Sequence, residues 1–88
     1  KRSNTSHWTV REFIYRRDGN RCFYCHCDIA DGDGHLDHAF PAARGGKAIC
    51  ANLVLSCSKC NVRKSASVLE NLDDILSEVA RRNREFFG

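Results

Sequence analysis

The sequence predicts a small α+β protein: two short strands and a short helix at its centre, a helix at either end, and a four-cysteine staple. Three observations carry that expectation. Cys22 with Cys25 and Cys57 with Cys60 form two Cys-x-x-Cys pairs, a spacing that turns two sulfurs toward one tetrahedral ion. Residues 35–40 and 53–55 read as strands on either side of a loop bearing Gly45-Gly46. Capping residues followed by helical periodicity begin at Thr9 and again at Ser67. At 88 residues and 42% apolar content, the chain reads as one domain, 1–88, with a thin core that needs a staple. Methionine is absent, so a domain excised from a longer protein is expected.

In the first element, Thr9-Val10-Arg11-Glu12 is a capping box, with Trp8 and Phe13 placed as a hydrophobic staple. Val10, Phe13 and Ile14 share a helical face, which leaves Arg11, Arg16 and Arg17 to solvent. Asp18-Gly19-Asn20 ends the helix, because Gly and Asn accept the left-handed conformation there. Residues 28–34 carry three aspartates but lack the glutamate and flanking helices of a calcium loop, and read as a solvated turn. A strand over 35–40 stops before Pro41. Residues 42–51 form a loop, Leu53-Val54-Leu55 a second strand, and a short helix runs from Cys57 to about Ser65. The last helix, about 67–87, opens on the capping box Ser67-Val68-Leu69-Glu70 and buries the stripe Leu69, Leu72, Ile75, Leu76 and Val79. Arg81, Arg82 and Arg84 complement its carboxyl-terminal dipole.

Six cysteines also admit a disulfide-bonded secreted scaffold. The paired spacings favour structural zinc on Cys22, Cys25, Cys57 and Cys60, with His26 as a competing ligand. Cys27 and Cys50 fall outside the pattern and are expected to be buried, since unpaired cysteines pack as small hydrophobes. The charge is uneven: residues 1–64 carry 11 Lys or Arg against 6 acids, and residues 65–88 carry 3 against 5. A basic body suits a phosphate backbone. No apolar run long enough to span a membrane occurs, and an intracellular location, cytoplasmic or nucleoid-associated, is expected.

The most specific stretch is Leu36-Asp37-His38-Ala39-Phe40-Pro41, then Gly45-Gly46, then Asn52-Leu53-Val54-Leu55, then Cys57-Ser58-Lys59-Cys60-Asn61-Val62-Arg63-Lys64. Over about residues 11–65 this order resembles the HNH endonuclease family in its zinc-stapled form. The resemblance implies the ββα-metal (His-Me finger) fold and cleavage of DNA to 5'-phosphate and 3'-hydroxyl ends. It also implies that Asn52 orients the catalytic loop by bonding backbone near His38. Where the family name promises His, Asn and His, this chain has His38, Asn52 and Asn61.

The chemistry of these side chains agrees with that expectation. Hydrolysing a phosphodiester needs an activated water, a sink for negative charge and help for the departing oxygen. Imidazole, with an ordinary pKa of ~6.5, suits His38 to the role of general base. The oxygens of Asp37 and Asn61 suit Mg2+ or Mn2+. One carboxylate and one amide favour a single ion over a two-metal clamp. Asp37 and His38, adjacent on a strand, reach one site only if the strand ends or bends there. Lys64, three residues after Asn61, is placed to neutralise a phosphate oxygen.

Arg44, Lys47, Lys59 and Arg63 are candidate DNA contacts or simply a solvated surface. His35 is a candidate helper or a capping histidine. Taken singly, Asp37 as a turn acceptor, His38 in a core and Asn61 as a helix cap are each ordinary; their joint order favours a nuclease. The alternative is a catalytically silent, zinc-stabilised nucleic-acid-binding module. Double-stranded DNA is the expected substrate, with other domains or subunits supplying specificity.

Overall fold

In the computed structural model, residues 8–64 and 67–87 are described. The element order is α1 (Val10–Arg17), β1 (His35–His38), a 3-10 turn (Ala42–Arg44), β2 (Leu53–Ser56), α2 (Ser58–Lys64) and α3 (Leu72–Phe87). The α+β class is as expected. β1 is two residues shorter than the sequence implied, because its pairing ends at His38 opposite Leu53. The expected end of the short helix at Ser65 lies outside the described residues.

α1 starts where the capping box demands. Glu12 N–H donates to Thr9 Oγ1 at 3.1 Å, and Thr9 N–H donates to Glu12 Oε1 at 2.8 Å, a device worth about 1 kcal/mol. Gly19 and Asn20 then both take positive φ and end the helix. Trp8 and Phe13 each pack on Phe86 of α3, at centroid distances of 5.8 and 5.3 Å. The second capping box does not open a helix. Leu72 N–H bonds Leu69 O, closing a turn over Leu69–Leu72, and regular α3 begins at Leu72 with Ser67 and Val68 outside it.

β1 and β2 form an antiparallel pair in the register His35↔Ser56, Leu36↔Leu55, Asp37↔Val54 and His38↔Leu53. Two strands alone are marginal in water, and here β2 is covered on every side. All four of its residues are buried. Alternation sends Leu53 and Leu55 into a cluster with Phe13, Ile14 and Tyr15 of α1. Val54 enters a second cluster, with Phe23, Ala39, Ile75 and Val79, so α1 and α3 clasp the strand from opposite faces. The free edge of β2 is also closed: Phe23 N–H donates to Leu55 O at 2.8 Å, and Leu55 N–H donates to Asp18 Oδ2 at 2.9 Å. A covered edge offers no template for another chain.

Arg17, expected in solvent, is buried with its side chain fully enclosed. Its guanidinium forks onto Asp18 at 2.9 and 3.0 Å and donates to Leu53 O, Cys50 O and Asn83 Oδ1. Helical periodicity hid it: Arg11 and Arg16 are exposed as expected, and Arg17 alone turns toward carbonyl groups and α3. Arg82 likewise does more than answer a helix dipole: it pairs with Asp18 at 3.0 Å and lies 4.5 Å over the ring of Phe23. Cys27, expected to be buried, is exposed, and Cys50 is half-buried. Cys27 sits where the first knuckle turns back, its carbonyl accepting Cys22 N–H at 2.9 Å.

Candidate functional site

The two Cys-x-x-Cys pairs meet. The Sγ atoms of Cys22, Cys25, Cys57 and Cys60 all lie within 4.8 Å of one another, and Cys25 and Cys57 are 3.8 Å apart. A tetrahedral zinc with Zn–S bonds of ~2.3 Å sets its sulfurs ~3.8 Å apart, so the donor set and its spacing fit that ion. The first pair is carried on a tight turn in which His26, at positive φ, donates its N–H to Cys22 O. The second pair opens α2, where Asn61 N–H bonds Cys57 O. The Cys60 backbone N–H pulls the Cys57 thiol down to about 6, and that of Cys27 lowers Cys25. Burial pushes Cys60 up to about 12, a penalty that a bound cation would remove. His26 is exposed and does not join the four sulfurs.

Beside this centre lies an open cleft of about 600 Å³ whose wall includes Asp37, His38, Pro41, Asn61 and Val62. β1 ends at His38, and at that end neighbours from opposite strand faces both reach the cleft. Asn61 comes from the first half of α2. The side chains of His38 and Asn61 make no hydrogen bond among the described residues, and both are half-buried. Asp37 is buried. Its Oδ2 accepts the Tyr24 hydroxyl at 2.6 Å and lies 3.5 Å from Lys64 Nζ. Oδ1 has no partner among the described residues, where no enclosed side-chain oxygen or nitrogen is left unpaired.

The loop after His38 is held by one side chain. Asn52 Oδ1 accepts Phe40 N–H at 2.8 Å, and Asn52 Nδ2 donates to Phe40 O and Lys47 O, each at 3.0 Å. Ala39 N–H adds a bond to Asn52 O. Gly46 closes against this brace so tightly that a Cβ there would collide with the Phe40 carbonyl. Lys64, placed by the sequence against phosphate, turns inward instead: its side chain is 4% exposed and donates to His38 O at 2.9 Å. One helical turn past Cys60, it faces β1 rather than water. His35 sits 3.2 Å from Ser58 Oγ, away from Asp37's partners. Arg44, Lys47, Lys59 and Arg63 are exposed and unpaired among the described residues.

Tyr24 is the residue that sequence reasoning missed. Burial, and then its bond to Asp37, raise its phenol well above the ordinary value and keep it a donor. The only signal was its place between Cys22 and Cys25, which says nothing about a carboxylate thirteen residues on. Residues 22–77 match the family model described as HNH endonuclease. No curated protein matches the chain.

Proposed function

The chain belongs to the HNH endonuclease family, and from that membership we propose that it cuts double-stranded DNA with one divalent ion and His38 as general base. Membership implies nuclease chemistry in general, the hydrolysis of phosphodiester bonds. The observation that carries the finer reading is the end of β1 at His38, which puts Asp37, His38 and Asn61 on one cleft wall. His38 accepts the proton of a water whose oxygen attacks phosphorus, and the bond to the 3'-oxygen breaks. The ends left are a 5'-phosphate and, once the departing oxygen takes a proton, a 3'-hydroxyl. Asp37 Oδ1 and the Asn61 amide oxygen are the donors for Mg2+ or Mn2+. When bound, the ion would polarise the phosphoryl oxygen and stabilise the departing one. Asn52 keeps the loop, and through it His38, in position.

Zinc on Cys22, Cys25, Cys57 and Cys60 would tie the Asp37-His38 strand to the Asn61 helix. Arg44, Lys47, Lys59 and Arg63 are free to meet the phosphate backbone, a sequence-independent contact. So small a surface leaves specificity to other domains or subunits. No helix among the described residues is long and apolar enough to cross a membrane. Thiols kept for metal suit a reducing compartment, such as the cytoplasm or the nucleoid.

Nicking of supercoiled plasmid in Mg2+, Mn2+ or EDTA tests this. Cuts should require the ion, and His38→Ala should lower the rate by roughly 10²-fold or more. Undiminished cutting by that variant removes the base assignment, and no cutting under any divalent ion makes the chain a silent binding module.

A further inference from the structure

We propose that Tyr24, with Lys64, clamps one oxygen of Asp37 so that the carboxylate can offer a metal only the other, and that this clamp selects small octahedral ions over calcium. The inference rests on Asp37 being the ligand proposed above. Two groups already face Oδ2: the Tyr24 hydroxyl donates to it at 2.6 Å, a short charge-assisted bond, and the Lys64 ammonium forms an ion pair with it at 3.5 Å. Oδ1 alone is free among the described residues. A carboxylate held this way binds through a single oxygen. Mg2+ and Mn2+ accept that geometry and fill the rest of an octahedron with water and substrate oxygens. Ca2+ takes six to eight oxygens and often draws two from one carboxylate, which the clamp denies it.

Both clamp residues are carried by the cysteine knuckles. Tyr24 stands between Cys22 and Cys25, and Lys64 follows Cys60 by one turn of α2. Lys64 is further fixed by His38 O at 2.9 Å. Asp37 cannot turn its second oxygen toward the cleft without giving up the Tyr24 hydroxyl inside a buried site, where a lost bond is costly. Tyr24 therefore acts through Asp37 as a positioning residue.

The test titrates the zinc-loaded chain with Mg2+, Mn2+ and Ca2+ by calorimetry, for wild type, Tyr24→Phe and Asp37→Asn. Zinc content and a thermal melt accompany each protein. Tyr24→Phe keeps the ring and removes only the hydroxyl. It should keep its zinc and raise the Ca2+ to Mg2+ affinity ratio roughly tenfold, as loss of an outer-shell partner does elsewhere. General damage would weaken all three ions together and leave the ratio alone, so an unchanged ratio overturns the clamp. Mn2+ binding that survives Asp37→Asn undiminished overturns the metal assignment beneath it, a result separable from failure of the clamp.

Discussion

Asp18 and Asp37 are both nearly sealed carboxylates beside a buried cation, with side chains 0% and 8% exposed, yet their oxygens are used in opposite ways. At Asp18 each oxygen takes two donors: Oδ1 from Arg17 Nε and Arg82, Oδ2 from Arg17 Nη2 and Leu55 N–H. At Asp37 one hydrogen bond, from Tyr24, and one ion pair, with Lys64, both fall on Oδ2. The first carboxylate has no capacity left and serves to lock α1, β2 and α3 together. The second keeps a free oxygen on a cleft wall. A buried ion pair is thus structural or chemical according to how many lone pairs it leaves over, and its depth does not decide which.

The largest effect expected is one that disables both carboxylates at once. The first knuckle supplies Tyr24 to Asp37 and, through Phe23 N–H on Leu55 O, shores up the strand that Asp18 holds. Structural zinc contributes roughly 10 to 16 kcal/mol in small zinc domains, against a total stability of about 5–15 kcal/mol for ordinary ones. Cys60→Ser should therefore lose zinc, the cooperative melt and any cutting together. A folded, zinc-free Cys60→Ser protein would show that the two carboxylates stand without the staple.

Next in size come single substitutions that separate the two. Asp18→Ala strands the Arg17 guanidinium and the Leu55 N–H, and breaking a buried pair from one side costs about 3–5 kcal/mol. Asp37→Asn keeps an oxygen for Tyr24 and leaves Lys64 its bond to His38 O, but takes the counter-charge from a buried ammonium 3.5 Å away; with no donor stranded, its stability cost should fall below that of Asp18→Ala, at about 2–3 kcal/mol. Divalent-ion binding should instead disappear. Urea titrations of both proteins, with metal binding measured alongside, compare them directly. Equal losses of stability would erase the distinction drawn between saturated and half-used carboxylates.

The sequence made Asp37 legible and Asp18 almost invisible, for a physical reason. Asp37 stands in a run whose neighbours His38, Asn52 and Asn61 have fixed spacings, and the two cysteine pairs announce the fold around it. Asp18 looked like a helix terminator, and Gly19 and Asn20 do terminate α1. Its partners, Leu55 and Arg82, lie thirty-seven and sixty-four residues away, where no local pattern can report them. Arg17 eludes periodicity for the same reason: a helical face ranked by polarity cannot distinguish water from the carbonyls of Cys50 and Leu53. Lys64 was found as a residue but given the wrong direction, because helical spacing places it near Asn61 without saying that α2 rolls it toward β1. Propensity placed the start of α3 too early, since the capping pattern at Ser67 was outvoted by a turn at Leu69 that brings Leu72, Ile75 and Val79 onto Val54.

Glu78 completes the series as a half-buried carboxylate at the surface, held by cations. It bonds Arg81 at 2.9 and 2.6 Å and Arg82 at 2.9 Å, and these arginines, Arg81 first, hold its carboxyl down at about 2 from an ordinary 4.5. A depressed carboxyl contributes stability above its unfolded value and loses it as pH falls through the folded one. The window is therefore from pH 4.5 down to about 2. The side chain is 35% exposed, so water and salt screen the pair and only about 0.2–1 kcal/mol is expected. Glu78→Gln should lower the urea midpoint slightly at neutral pH, by a difference that shrinks through that window and also in about 1 M salt. Arg82 gives the measurement its edge, because it is shared with Asp18. A loss from Glu78→Gln as large as that from Asp18→Ala would mean that Glu78 holds Arg82 in place for the buried carboxylate, and that the surface and interior pairs are one network.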